Sequence, residues 1–193
     1  MEHFFSQSLE ERFGPGYAGR VYTDAKVMPH EKLRYLSVVH VGFDGKDHLG
    51  ELIVHEELAL EVLDIFRELY DLRFPIEKIQ LVSEYGYSDD LSMADNNSSG
   101  FNFRKVAETD QLSEHAFGRA IDINPQINPY ILASGEVLPP SSLAYLDRES
   151  HAPGKILEGS PILEVFGKRG WFWGGDWTHI KDYHHFEKPA AWD

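Results

Sequence analysis

The chain has no cysteine anywhere in its 193 residues. Disulfides and thiol nucleophiles are therefore excluded, and so is a closed zinc site built from thiolates. Positive charge is the second shortage. Against 32 Asp and Glu stand only 18 Lys and Arg, a formal net charge of −14. Nucleic acid favours a basic face and so does an anionic membrane, so neither is an expected partner. Long apolar runs are missing too. No stretch approaches the roughly 20 residues of a membrane span. The start, Met1-Glu2-His3-Phe4-Phe5-Ser6, lacks the basic residues and apolar run of a secretion signal. The expected setting is the cytoplasm, or the periplasm or exterior for a chain whose leader has been removed. No internal repeat or dividing linker is visible, so residues 1–193 read as one catalytic domain, expected to act as a monomer.

Hydrophobic residues make up 42% of the chain, enough for a proper core at this length. Trp171, Trp173, Trp177 and Trp192 crowd the last quarter, where they serve either as core or as the walls of a cleft. Residues 1–30, broken by Gly14-Pro15-Gly16 and Pro29, read as a turn-rich arm. Leu33 to Phe43 reads as a strand through Val38, Val39 and Val41, Asp44-Gly45-Lys46-Asp47 as a turn, and Leu49 to Val54 as the returning strand. That acidic turn lacks the spacing and terminal Glu of a calcium loop. Over residues 55–72, Leu58, Val62, Ile65, Phe66, Leu69 and Leu72 recur at helical steps and predict an amphipathic helix, with His55 as a surface residue at its start. Ile76 to Ser83 reads as a strand, 86–104 as an irregular polar loop, Ala120 to Asn124 as a strand stopped by Pro125, 126–160 as an insertion, and Ile162 to Arg169 as a short helix with Gly170 as its cap. Residues 1–75 thus supply an arm, a hairpin and a helix, and 76–190 the remaining core.

Two clusters carry chemistry. On a strand, Asp122 shares a face with Ala120 and Asn124, while Ile121 and Ile123 point the other way into a core. A carboxylate placed there needs a partner to offset its desolvation, and a metal is one such partner. His115 lies seven residues earlier, and the small Gly118 and Ala120 let the chain fold back so that the two side chains meet. Near the C-terminus, Asp182 and His185 are three apart, which lets one bind a metal while the other stands one shell out. His184 competes with His185 as the ligand; His185 is preferred for its spacing from Asp182. Two imidazoles, one carboxylate ligand and a spare carboxylate are the inventory of a catalytic zinc site with an open position for water. In that reading His115, Asp122 and His185 hold Zn2+, Asp182 is the general base, and Arg104 holds the carbonyl oxygen as charge develops on it. Ser113 or Asn124 orients a ligand or the substrate's carboxylate. Arg119 reads as a solvated surface charge.

Ser113-x-His115-x-x-Gly118-x-Ala120-x-Asp122 resembles the S-x-H-x-x-G-x-A-x-D signature of the D-alanyl-D-alanine carboxypeptidase group of zinc peptidases, and Asp182-x-x-His185 its second motif, E/D-x-x-H. Relatives in this group include vancomycin-resistance D,D-peptidases, L-alanyl-D-glutamate endopeptidases and the Hedgehog signalling domain. Asn102-Phe103-Arg104, Ile123-Asn124-Pro125, Asn128-Pro129-Tyr130 and Gly174-Gly175-Asp176-Trp177 also look like bacterial members, so the likeness runs over about residues 75–190. The resemblance implies an α+β fold, a small antiparallel sheet flanked by helices with zinc on the sheet. It also implies peptidoglycan stem peptides as substrate, cut either by a carboxypeptidase or by an endopeptidase; in the family the acid of the second motif is the base and its His the third ligand. His184 departs from the pattern, standing where many endopeptidases of the family have proline. Two alternatives are a zinc-bearing binding module of the Hedgehog kind and a zinc amidase acting on another small substrate.

Overall fold

The hairpin forms where the β-branched residues place it. In a computed structural model that describes residues 3–16 and 19–190, β2 is Leu33–Val41 once β1, Phe5–Ser8, is counted, and β3 is Asp47–His55. Leu36, Val38, Leu52 and Val54 are fully or almost fully buried. The arm expected over the first 30 residues is partly regular: β1 pairs antiparallel with β2 and makes a three-stranded sheet of order β1-β2-β3. It runs directly into α1, Leu9–Phe13, started by a reciprocal cap in which the Ser8 hydroxyl accepts from the Glu11 amide and Glu11 accepts from the Ser8 amide.

Helix α2, Ala59–Asp71, follows one 3-10 turn over Glu56–Leu58 and buries Val62, Leu63, Ile65, Phe66 and Leu69 against the sheet. Each such side chain contributes on the order of 1.5–3 kcal/mol of transfer free energy. His55 is not the surface residue expected. It is buried at the end of β3, and its Nδ1 accepts from the Glu57 amide, so it caps the turn that begins the helix.

Two other expectations are corrected. The strand over Ile76–Ser83 shrinks to β4, Lys78–Ile79, paired in parallel with β5, Asn97–Ser98. The Asn97 side chain accepts from the Gln80 amide and donates to the Gln80 carbonyl, so it takes over the backbone groups a longer ladder would use. The polar loop at 86–104 contains a helix, α3, Asp89–Ala94, capped by Ser88, with Asp89 and Asp90 in its first turn where the helix dipole favours acids.

The second half builds two small antiparallel sheets. One has the order β6-β11-β9, from Ala120–Asp122, His185–Glu187 and Phe172–Trp173; the other has the order β10-β7-β8, from Lys181–Asp182, Tyr130–Ile131 and Val137–Leu138. Helix α4, Pro161–Gly167, starts on proline and stacks Phe166 on Phe186 at 4.0 Å between ring centroids. It stops before the predicted Arg169, with Lys168 in the capping position and Gly170 two residues beyond in the left-handed region. One core unites Leu36, Val54 and α2 with Ile121, Ile123, Phe166 and Phe186. The architecture is α+β with small antiparallel sheets and few helices; the single sheet expected is divided among several short ones. Trp171 and Trp173 belong to that core. Trp192 lies outside the described residues.

His40 is buried on β2, and its ring meets the Ile76 carbonyl at 2.8 Å. Burial lowers its pKa against the smaller raising effect of that carbonyl. A depressed folded value means that its contribution to stability is complete above the ordinary histidine value, about 6.5, and is lost as the pH falls from there through the folded value. Unfolding free energies for the wild type and His40→Gln between about pH 7 and about pH 5 are expected to show a shallower slope in the variant. Parallel slopes would refute this assignment.

Candidate metal centre

His115 is set by a 3-10 turn over Glu114–Phe117. The Ser113 hydroxyl starts that turn by accepting from the His115 amide, and Gly118 ends it at φ 65°. A Cβ on Gly118 would lie 2.5 Å from the His55 backbone nitrogen, so the position needs glycine both for its backbone angle and for its close approach to β3. The turn then delivers Ala120–Asp122 as β6. Gly118→Ala is expected to lower unfolding free energy by about 2 kcal/mol or more, since left-handed backbone alone costs an L-residue roughly 1–2 kcal/mol. Denaturant titration reads this directly, and a loss within error of zero would show that the turn relaxes.

Asp122 and His185 are direct cross-strand partners on β6 and β11. His115 Nε2 lies 3.0 Å from Asp122 Oδ2, His185 Nδ1 lies 3.0 Å from Asp122 Oδ1, and the two imidazole nitrogens are 3.2 Å apart. All three residues are buried. Each ring has its other nitrogen committed. His115 Nδ1 donates to the Gly100 carbonyl at 2.6 Å, and His185 Nε2 donates to Glu187 at 3.1 Å. Those outer bonds turn the remaining ring nitrogens toward Asp122 and toward each other.

Two imidazole nitrogens and the two oxygens of one carboxylate this close need a cation or shared protons among them. For three ligands at 2.0–2.2 Å in a tetrahedron the edges are about 3.3 to 3.6 Å. The two imidazole nitrogens, 3.2 Å apart, come close to that size, and one ligand atom from each of the three residues lies within 4.8 Å of the others. The donor set therefore suits a small divalent metal. Without one, the electrostatics take protons instead. Burial opposes charge on His185, but hydrogen bonds to Asp122 and Glu187 outweigh it and push its pKa up to about 10. Burial likewise works against the Asp122 carboxylate, and the surrounding histidines overcome it and hold its pKa well below the ordinary value. A metal would displace the His185 proton.

Asp182 sits on β10, separated from His185 by the turn at Tyr183-His184. Its carboxyl is buried, and its Oδ1 has no partner at hydrogen-bonding angles among the described residues. Burial raises its pKa, only partly offset by His184 and His185. Asp182 opens onto a groove of about 440 Å³ lined by Arg104, Ser113, Glu114, Tyr130, Trp177, His184, His185 and Glu187 among others. Arg104 lines the same groove; its Nε is 3.0 Å from Asp89 and its Nη2 is 4.0 Å from Asp122. Trp177 stands over the site, its ring 5.4 Å from that of His185, so of the tryptophans described it is the one that walls the groove.

Other expectations need amending. Asn124 is not at the site. It is fully buried at φ 49°, accepting from the Glu77 amide and donating to the carbonyls of Pro75 and Gly154. Arg119 is buried, not solvated: it pairs with Glu57 and lies against the Lys188 carbonyl. Strand alternation, which would turn His184 away from the site, does not apply to it. His184 precedes β11 instead of lying in it, so its ring also turns inward, 3.1 Å from Asp182 and 3.8 Å from Asp122. Glu187 escapes the sequence reading altogether, although a residue two beyond a strand ligand shares its face. Glu114, half-buried beside the groove, has its pKa raised by burial and then by Glu187.

A buried His–Asp–His cluster that could hold a metal thus lies beside a second buried carboxylate and a groove in an α+β fold. Residues 107–188, which hold the cluster and Asp182, match the family described as D-alanyl-D-alanine carboxypeptidase. This stretch, less than half of the chain, is thus of a peptidase family, and the resemblance seen in its motifs stands; Arg104 lies outside it. Comparison with curated proteins and with solved structures returned no match.

Proposed function

We propose that the chain is a zinc metallopeptidase that cleaves the stem peptides of peptidoglycan, as a D-Ala-D-Ala carboxypeptidase or an L-Ala-D-Glu endopeptidase. The observation that carries this reading is the buried cluster of His115, Asp122 and His185 beside the buried, unsatisfied Asp182 oxygen, with His185 and Asp182 lining one groove and all four residues inside the segment of peptidase-family likeness. Two imidazoles and a carboxylate suit zinc. Bound there, zinc would supply Lewis acidity, lowering the pKa of a water toward about 7 and polarising a carbonyl.

The chain's own residues do the rest. His115, Asp122 and His185 hold the ion; Gly100 and Glu187 keep the two rings aimed. Asp182 accepts the proton of the attacking water and returns it to the leaving nitrogen. Arg104, its guanidinium at the groove, stabilises negative charge on the scissile carbonyl oxygen. Ser113 keeps the His115 turn in shape and contacts substrate from the groove wall. The same proposal takes in the Hedgehog/D,D-peptidase fold type and a working place outside the cytoplasm, where the substrate is.

Purified stem peptides, incubated with the protein before and after chelation and zinc return and read by mass, test the proposal. Loss of a terminal D-alanine supports the carboxypeptidase branch, and a cut between L-alanine and D-glutamate the endopeptidase branch. No cleavage by protein carrying one zinc per chain would overturn the enzymatic reading in favour of a binding module.

A further inference from the structure

Two close neighbours of Asp182 come from opposite directions in the sequence. His184 lies on one side, its Nε2 3.1 Å from Oδ1. Its ring cannot swing freely, because Nδ1 donates to the Asn128 carbonyl at 2.6 Å and the residue is 2% exposed. Asn128 is itself pinned. Its side chain accepts from Arg148 and the Ile156 amide and donates to carbonyls of Ile123, Asn124 and Gly154. Arg148 also stacks on Tyr183, the residue between Asp182 and His184, with its guanidinium carbon 4.3 Å from the ring centroid. Gly174 lies on another side. A Cβ there would stand 2.6 Å from the Asp182 carbonyl oxygen and 2.9 Å from its Cβ, closer than side-chain carbons come.

We propose that His184, anchored through Asn128, and Gly174, through its missing side chain, form a clamp that positions Asp182 toward the groove. The inference rests on the reading of Asp182 as the base. His184 approaches Oδ1 off the angle of a regular hydrogen bond. With its Nδ1–H given to Asn128, His184 limits by contact where the carboxylate can lie, without a hydrogen bond that would use up the lone pair a base needs. Gly174 lets β10 settle close enough for the carboxylate to reach the groove. His184 is a positioning residue in this scheme and Nε2 is not a metal ligand.

The test compares His184→Gln, which keeps a polar group near the Nε2 position, with His184→Leu, which does not, and with Gly174→Ala. A base displaced by about 1 Å costs roughly 100-fold in rate. In zinc-loaded protein, His184→Leu and Gly174→Ala are expected to lower kcat by about 10- to 100-fold with KM within about twofold, and His184→Gln to recover part of the loss. One zinc per chain is expected in all three. Loss of zinc from the His184 variants would make His184 a ligand and overturn the proposal, as would kcat within about twofold of wild type in both His184 variants. A second readout needs no activity. Ring nitrogen resonances of His184, followed by NMR in the zinc-loaded protein, are expected to shift on Asp182→Asn while the melting temperature stays put. Unshifted resonances would refute the clamp. Wild-type protein that cleaves no stem peptide would sink the peptidase reading instead, and the resonances would still decide whether the two side chains touch.

Discussion

Asp182→Asn is expected to retain one zinc per chain and to lower kcat for stem-peptide cleavage by about 10²- to 10⁴-fold, the range of a lost general acid–base group. The substitution is close to isosteric, so a buried side chain keeps its volume while its charge and proton affinity go. The fold should not notice. Asp182 lies at the end of a two-residue strand and outside the apolar core, and its Oδ1 satisfies no hydrogen bond that the amide would break. KM is expected to change little, because a group that moves a proton acts in the transition state more than in the bound ground state. Steady-state kinetics with metal analysis on the same sample check this. A variant that keeps its zinc and more than about a tenth of the wild-type kcat would require another base, and Glu114, in the same groove with a raised pKa, would be the first to substitute.

Removing the metal is the second large effect. Chelation should abolish cleavage and zinc should restore it. Chelation should also lower the melting temperature: a ligand at about 1,000 times its Kd stabilises by about 4 kcal/mol, and for a chain of this size each kcal/mol moves the midpoint by roughly 2–4 °C, so the shift is about 10 °C. Zinc is expected to bind more weakly as the pH falls, because His185 must give up its proton to bind it. Asp122→Ala should remove both the zinc and the thermal response, since it takes away the group that both histidines face. Differential scanning calorimetry with and without zinc is the measurement. A variant that still gained about 10 °C from zinc would place the ion elsewhere.

Much of this site can be read from the residues alone, for physical reasons that can be named. Asp122 between two isoleucines announces its face, because a strand alternates and a core must be apolar. His115 is reachable because Gly118 can adopt the positive φ that turns the chain back. The hairpin and α2 are legible for the same kind of reason: β-branched residues around an Asp-Gly turn, and apolar residues at helical steps. What fails depends on tertiary partners. Asn97 replaces ladder hydrogen bonds with its side chain, so the strand after Ile76 is cut short. Arg119 is buried because Glu57, 62 residues away, meets it. His184 reaches the site because β11 begins one residue after it, and strand boundaries are the least predictable feature of a sequence. The Ser8–Glu11 cap is different: its pattern is present in the residues, and the turns around it obscure it.

The pairing of β6 with β11 sets His185 against Asp122 and, one step on, Phe186 against Ile121. These two rungs face opposite sides, the first toward the groove and the second into the core beneath Phe166. A slip of the strand by a single residue would bury an imidazole among hydrocarbons and present a phenyl ring to the substrate. The same mistake that spoils the chemistry would therefore cost the fold its centre, so molecules with a misaligned site are selected against by folding itself, before any metal or substrate arrives.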